Sequence, residues 1–137
     1  MRSFGACSSN RKSLNRRILL KRDNDLIRSL LLEIEAHDDA IFLCVLTDGS
    51  PDDERRSYYH LKLLVDAGML EERGKFGGSF RMTNYGHDFI EAIRSESIWN
   101  DVKGVVATVG GATLGIMADI AKTCITAEIN KHLGVGS

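Results

Sequence analysis

The chain is short of cysteine, of proline and of long hydrophobic runs, and two of these shortages argue against whole classes of protein. Its three cysteines, Cys7, Cys44 and Cys124, are odd in number and widely separated, with no Cys-x-x-Cys pair. That spacing argues against a disulfide framework or a zinc site and fits reduced thiols in a cytoplasm. The longest uncharged tract, Gly104 to Ala118, has 15 residues, four of them glycine. A membrane-spanning helix needs ~18–20 apolar residues, so a soluble, cytoplasmic chain with no membrane association is expected. No apolar run precedes Cys7, which removes a lipoprotein or secretory reading of the amino terminus.

Acids are missing from the first 22 positions, which carry Arg2, Arg11, Lys12, Arg16, Arg17, Lys21 and Arg22. The remaining residues hold 11 basic and 19 acidic side chains, so a net charge of −1 conceals a basic arm on an acidic body. A uniformly basic DNA-binding domain looks different. Residues 1–20 show no period and read as a disordered arm. Their Arg- and Ser-rich composition also fits an organellar transit segment in form. At 137 residues and 43% hydrophobic content, the chain buries one sizeable core but hardly two.

What is present is a clear order of elements. Asp23 or Asn24 caps a helix on which Leu26, Ile27, Leu30, Leu31 and Ile34 recur at helical spacing to about His37. Ala40 to Leu46 is a short apolar run closed by Asp48-Gly49-Ser50, which favours a buried strand. Ser50 is placed to cap the next helix, with the single proline, Pro51, at its first position and Asp52 and Asp53 at the positive end of its dipole. Gly68 ends it, with Leu64 and Met69 set for the accompanying apolar contact. Tyr58, Leu61, Leu64 and Val65 form the expected buried stripe, while Arg55, Arg56, Tyr59, Lys62, Leu63 and Asp66 project the other way. Strands over 69–73 and 79–83 flank Gly74-Lys75-Phe76-Gly77-Gly78, a wing-like hairpin with a flexible tip. Thr83 or Asn84 caps a further helix bearing Phe89, Ile90 and Ile93, which Gly104 is expected to break. A final helix runs from about Ala112 to His132.

Residues Lys21 to about Gly104, about 60% of the chain, resemble a bacterial and phage family known only as domain of unknown function number 2513. The matching residues include Lys21-Arg22-Asp23, Asp25-Leu26-Ile27-Arg28, Tyr59-His60-Leu61, Ala67-Gly68-Met69, Gly86-His87-Asp88-Phe89, Ala92-Ile93-Arg94 and Trp99. Asn84-Tyr85 departs from the Trp-then-Glu more common there. The resemblance implies a winged-helix-like fold and a prokaryotic or phage origin, and brings no activity or catalytic residue with it.

Candidate chemistry is sparse. His60, His87 and Asp88 lack the HExxH, paired-carboxylate or nucleophile–base arrangement that metal or acid–base catalysis needs. Each imidazole is expected to satisfy a local hydrogen bond in a half-buried setting. Gly77-Gly78 has no Walker Lys–Ser/Thr pair and joins two strands, so it cannot cradle a phosphate at a helix amino terminus. No enzyme, cofactor or metal is expected.

Arg55, Arg56, Tyr59 and Lys62 are the sharpest constellation: on one helix face they could contact phosphates and base edges in a major groove. Lys75 and Arg81 on the hairpin could add phosphate contacts. Against this, only 17 residues separate Ser50 from Gly68, scarcely enough for a scaffold helix, a turn and a recognition helix. Gly111 and Gly115, four apart, permit close helix approach, and with Leu114 and Met117 they mark a candidate homodimer interface on the last helix.

The sequence therefore predicts an α+β fold with three parts: a basic arm (1–20), a winged helix-turn-helix-like core (21–103) and an apolar C-terminal helical extension (104–137). Its expected function is a non-enzymatic DNA-binding regulator of bacterial or phage origin, with double-stranded DNA as partner. The alternative is a phage or mobile-element interaction module inhibiting a host nucleic-acid-handling or defence complex. Asp52, Asp53, Glu54, Glu71 and Glu72 would then face a basic protein surface.

Overall fold

Helix α1 (Asn24–Glu35) begins where Asp23, in extended conformation, accepts hydrogen bonds from the Asp25 and Leu26 amides at 3.0 and 3.2 Å. That is the N-cap geometry the sequence predicts. Ile27, Leu30, Leu31 and Ile34 are its buried positions, the i, i+3, i+4, i+7 face of a core helix. The structure, a computed structural model, describes residues 20–134; the arm expected over 1–20 lies almost entirely outside them.

After α1 come β1 (Phe42–Leu43), α2 (Asp52–Asp66), β2 (Leu70–Arg73) and β3 (Ser79–Met82). The strands make one antiparallel sheet in the order β1-β3-β2. Phe42 lies opposite Phe80, and Leu70 opposite Met82. Helices α1 and α2 pack on each other, α2 on β2 and α1 on β3. Ile27, Leu31, Leu61, Leu64, Met69 and Phe80 are fully buried as a result. One helix, of 15 residues, lies between β1 and β2, after a loop that runs to Pro51.

Helix α2 ends as predicted. Gly68 takes φ +84°, its N–H donates to the Val65 carbonyl, and the Met69 N–H donates to the Leu64 carbonyl at 2.9 Å. These two bonds define a Schellman motif. Its start and its buried stripe require correction. Pro51 is the N-cap residue and no side chain caps the helix, because the Ser50 hydroxyl accepts from the Thr47 amide at 2.8 Å instead. The buried residues are Ser57, His60, Leu61 and Leu64. Tyr58 and Val65 are only half-buried, the Tyr58 ring standing edge-on to Phe80 at 6.2 Å. The stripe is rotated because His60 is fully buried, its polar atoms satisfied internally.

The run from Ala40 to Leu46 is likewise not a buried strand. Only Phe42 and Leu43 join the ladder. Phe42 and Cys44 are buried, whereas Ile41, Leu43 and Val45 are exposed, since β1 is an edge strand with one face uncovered.

The chain divides into two compact units, one ending at Gly86 and the next beginning at His87, where the sequence places its boundary after residue 103. Helix α3 (Asn84–Ile93) spans the division. The second unit contains α4 (Glu96–Val109) and α5 (Leu114–Leu133), which pack on each other. Gly104 does not break a helix, because α4 runs through it. The break falls at Arg94–Ser95, where the Ser95 hydroxyl accepts from the Ile98 amide at 3.3 Å and starts α4 afresh. Gly111 is not on the last helix, which Thr113 caps. Its φ of +132° places it in the α4–α5 turn, so the spacing to Gly115 is not a helical one.

Candidate interaction surface

The cations that sequence singles out on α2 and the hairpin are largely engaged within the protein. The Arg55 guanidinium donates to the carbonyls of Thr47, Asp48 and Ser50 at 2.7, 3.3 and 3.2 Å, tying α2 to the preceding loop. Arg56 Nη2 lies 2.7 Å from Asp23 Oδ2. Lys62 Nζ lies 2.6 Å from Glu72 Oε1 on β2 and 5.6 Å from the Tyr58 ring centroid. Glu72 in turn accepts the Gly78 N–H at 2.8 Å, binding one carboxylate to helix and hairpin together. Arg81 donates from Nε and Nη2 to Glu71 Oε1 at 3.0 and 2.6 Å, and Arg73 holds the other oxygen of Glu71. Lys75 is exposed at the hairpin tip, its ammonium 5.9 Å from the Phe76 ring centroid. Tyr59 is half-buried with its ring near His60.

These pairings set the local titration. The hydrogen bond from Lys62 holds the Glu72 carboxyl below its ordinary range, helped by the Gly78 amide against partial desolvation. Hydrogen bonds from Arg81 and then Arg73 do the same for Glu71. The acidic set expected to face a basic partner is thereby thinned: Glu71 and Glu72 neutralise cations of this chain. Asp53 keeps one carboxylate oxygen, Oδ2, buried with no hydrogen-bond partner among the described residues.

His60, Asp23 and Arg56 form a lock between α1 and α2. His60 Nε2 accepts the Asp23 N–H at 2.9 Å, and Nδ1 lies 2.8 Å from the Arg56 carbonyl. Only the neutral Nδ1–H tautomer makes both bonds. Desolvation lowers the His60 pKa, and the charges of Arg56 and Arg22 add to that, outweighing the Arg56 carbonyl and Asp23. Burial acts to raise the Asp23 carboxyl, but the bonds from Arg56 and from the Leu26 and Asp25 amides together hold it below its ordinary range. His60 is thus fully buried rather than half-buried, with its hydrogen bonds made. His87 is exposed on α3, because the turn that buries Gly86, Phe89 and Ile90 points it outward.

Among the described residues, no three or more His, Cys, Asp or Glu side chains are grouped to hold a metal ion. None of the helices among the described residues is long and apolar enough to cross a membrane. Of the candidate dimer residues, Leu114 and Met117 are buried within a single chain, while Gly115 is half-buried and Gly111 exposed. A shallow groove of about 600 Å³ between α4 and α5 is lined by Asn100, Asp101, Thr108, Cys124, Glu128 and others. There burial, with Asp101 nearby, raises the Cys124 thiol pKa and so disfavours the thiolate. Sequence reasoning missed one surface, the alternate outward residues of 41–45. A run apolar at every position gives no sign of which side is covered.

Residues 21–113 match the family described as hypothetical protein (DUF2513). An uncharacterized protein of Haemophilus influenzae is 31% identical over 121 residues, spanning 83% of this chain and 99% of the relative. No solved structure matches the chain. The match takes in α1, the sheet, α2, the hairpin, α3 and α4, so the lock, the engaged cations and the edge strand all lie in the matched region. The chain belongs to the DUF2513 family.

Proposed function

We propose that this chain is a non-enzymatic, winged-helix-type module of bacterial or phage origin that works by binding a protein. The winged-helix reading is supported by the order helix, short strand, helix, hairpin and by the sheet order β1-β3-β2, with α2 in the recognition position. One helix occupies the place of two, so the motif is abbreviated. The observation that carries the choice of partner is the internal engagement of Arg55, Arg56, Lys62 and Arg81. Phosphate contacts supply most non-specific DNA affinity. Here such contacts would compete with carboxylates and carbonyls already in place, on a body with an acidic excess. A host nucleic-acid-handling or defence complex, with its basic surfaces, is a partner of the fitting kind.

The alternative, a DNA-binding regulator, keeps the support of the topology and of exposed Lys75 on the hairpin. Anisotropy of a labelled duplex separates the two readings. The protein reading predicts no retained complex at about 150 mM salt. A tight duplex complex whose affinity falls steeply with salt and disappears in Arg55→Ala/Arg56→Ala would establish the DNA reading instead.

A further inference from the structure

Strand β1 lies at the sheet edge, with β3 on its inner side. The Cys44 N–H donates to the Gly78 carbonyl at 2.8 Å. In an antiparallel ladder backbone groups alternate sides, so those of Ile41, Leu43 and Val45 point to the edge, which no described strand covers. The side chains of the same three residues are 38, 45 and 67% exposed. Gly78 lies against Val45, and Phe76 at the hairpin tip is 92% exposed. Edges are ordinarily protected by charge or proline, and β2, the opposite edge, carries Glu71, Glu72 and Arg73. Residues 41–45 carry neither. The acids lie just outside: Asp38 and Asp39 at one end and Asp48 at the other, all exposed.

From this arrangement we infer that the β1 edge is a docking site for an extended segment of a partner protein, apolar at alternate positions and carrying Lys or Arg at both ends. The inference rests on the protein-binding reading proposed above and names the chemistry of its partner. The partner strand adds to the sheet through backbone hydrogen bonds, and Ile41, Leu43, Val45 and Phe76 take its apolar side chains. The flanking aspartates select the basic ends by charge complementarity. A second copy fits worse: antiparallel pairing about Leu43 would bring Asp38 opposite Asp48 of the other copy, and like charges facing each other destabilise a strand pair.

The test uses the full chain and two synthetic peptides, Lys-Arg-Val-Thr-Val-Thr-Val-Lys-Arg and the same peptide with Glu at the four basic positions. The expected result is slowed amide exchange at Ile41, Leu43 and Val45 with the basic peptide, and affinity roughly tenfold above the acidic one. Asp38→Lys/Asp48→Lys, at exposed positions, reverses that preference. Leu43→Pro removes an edge-facing amide, spares the pairing of Phe42 with Phe80 and the Cys44 bond to Gly78, and abolishes binding. Equal binding of both peptides, or no protection by either, overturns the inference. So does protection already present in the isolated chain, which would assign the edge to another segment of this chain, or, if it grows with protein concentration, to a second copy. A protein partner bound equally well by Leu43→Pro overturns the edge assignment while leaving the protein-binding reading standing.

Discussion

Gly86 opens the first turn of α3 with no room for a side chain. A Cβ there would overlap the Met69 carbonyl oxygen and come within 2.8 Å of Met82 Cγ. The first obstacle is backbone, so relaxation would have to move the chain at Met69 or the first turn of α3. Gly86→Ala should therefore destabilise by about 2–3 kcal/mol, read as a fall in urea midpoint; a loss below about 1 kcal/mol would show that the backbone there shifts freely. At this scale the sequence is only partly legible. The helix caps at Asp23 and Gly68 can be read from residue type, because they are local. The destination of an arginine cannot: Arg56 reaches an aspartate 33 positions away, and nothing in the spacing around Arg56 announces it.

Helix α4 illustrates the element scale. Glycine is a poor helix former, and Gly104 in an apolar tract resembles a stop. The helix nevertheless continues, because Ser95 starts it and Ile98, Trp99 and Val102 bury one face, and packing outweighs a cost of ~1 kcal/mol. Among the described residues, nothing lies within 4 Å of a Cβ built on Gly104. Gly104→Ala should then stabilise by about 0.5–1 kcal/mol, seen as a higher melting temperature; a decrease would mean that the exposed side of α4 is covered by something else. The elements themselves were predictable, since α1, α2, the hairpin and α5 all follow period, cap and turn chemistry. Strand β1 was not. Its apolar run is continuous, and which residues are buried is decided by a neighbour on one side only. The turn at Gly111 is equally hidden, because small residues four apart look alike in a helix and in a loop.

For the whole molecule, acid is the revealing variable. Folded His60 has a pKa below its unfolded value, so the unfolded chain binds the extra proton first. Stability is therefore full above about pH 6.5 and declines as pH falls from there through the lower folded value. Asp23, held below its ordinary range, adds a second loss that begins only below about pH 4. Both changes open the same α1–α2 lock. Urea midpoints measured between about pH 7 and pH 5 should fall in the native chain and stay nearly level in His60→Gln, whose starting stability is about 2–3 kcal/mol lower. A native midpoint independent of pH over that interval would exclude the neutral buried imidazole.

The root of the hairpin has a separate consequence. The Thr83 N–H donates to the Met69 carbonyl, and its hydroxyl both donates to the Gly68 carbonyl at 2.6 Å and accepts the Gly86 amide at 3.1 Å. One threonine thus clasps the end of α2 to the start of α3, and the strands between them form a closed bight. A bight fastened at its neck behaves as a cassette. Its outer turn can gain or lose residues at the slowly growing entropic cost of a longer loop, while the hydrogen bonds at its neck stay in place.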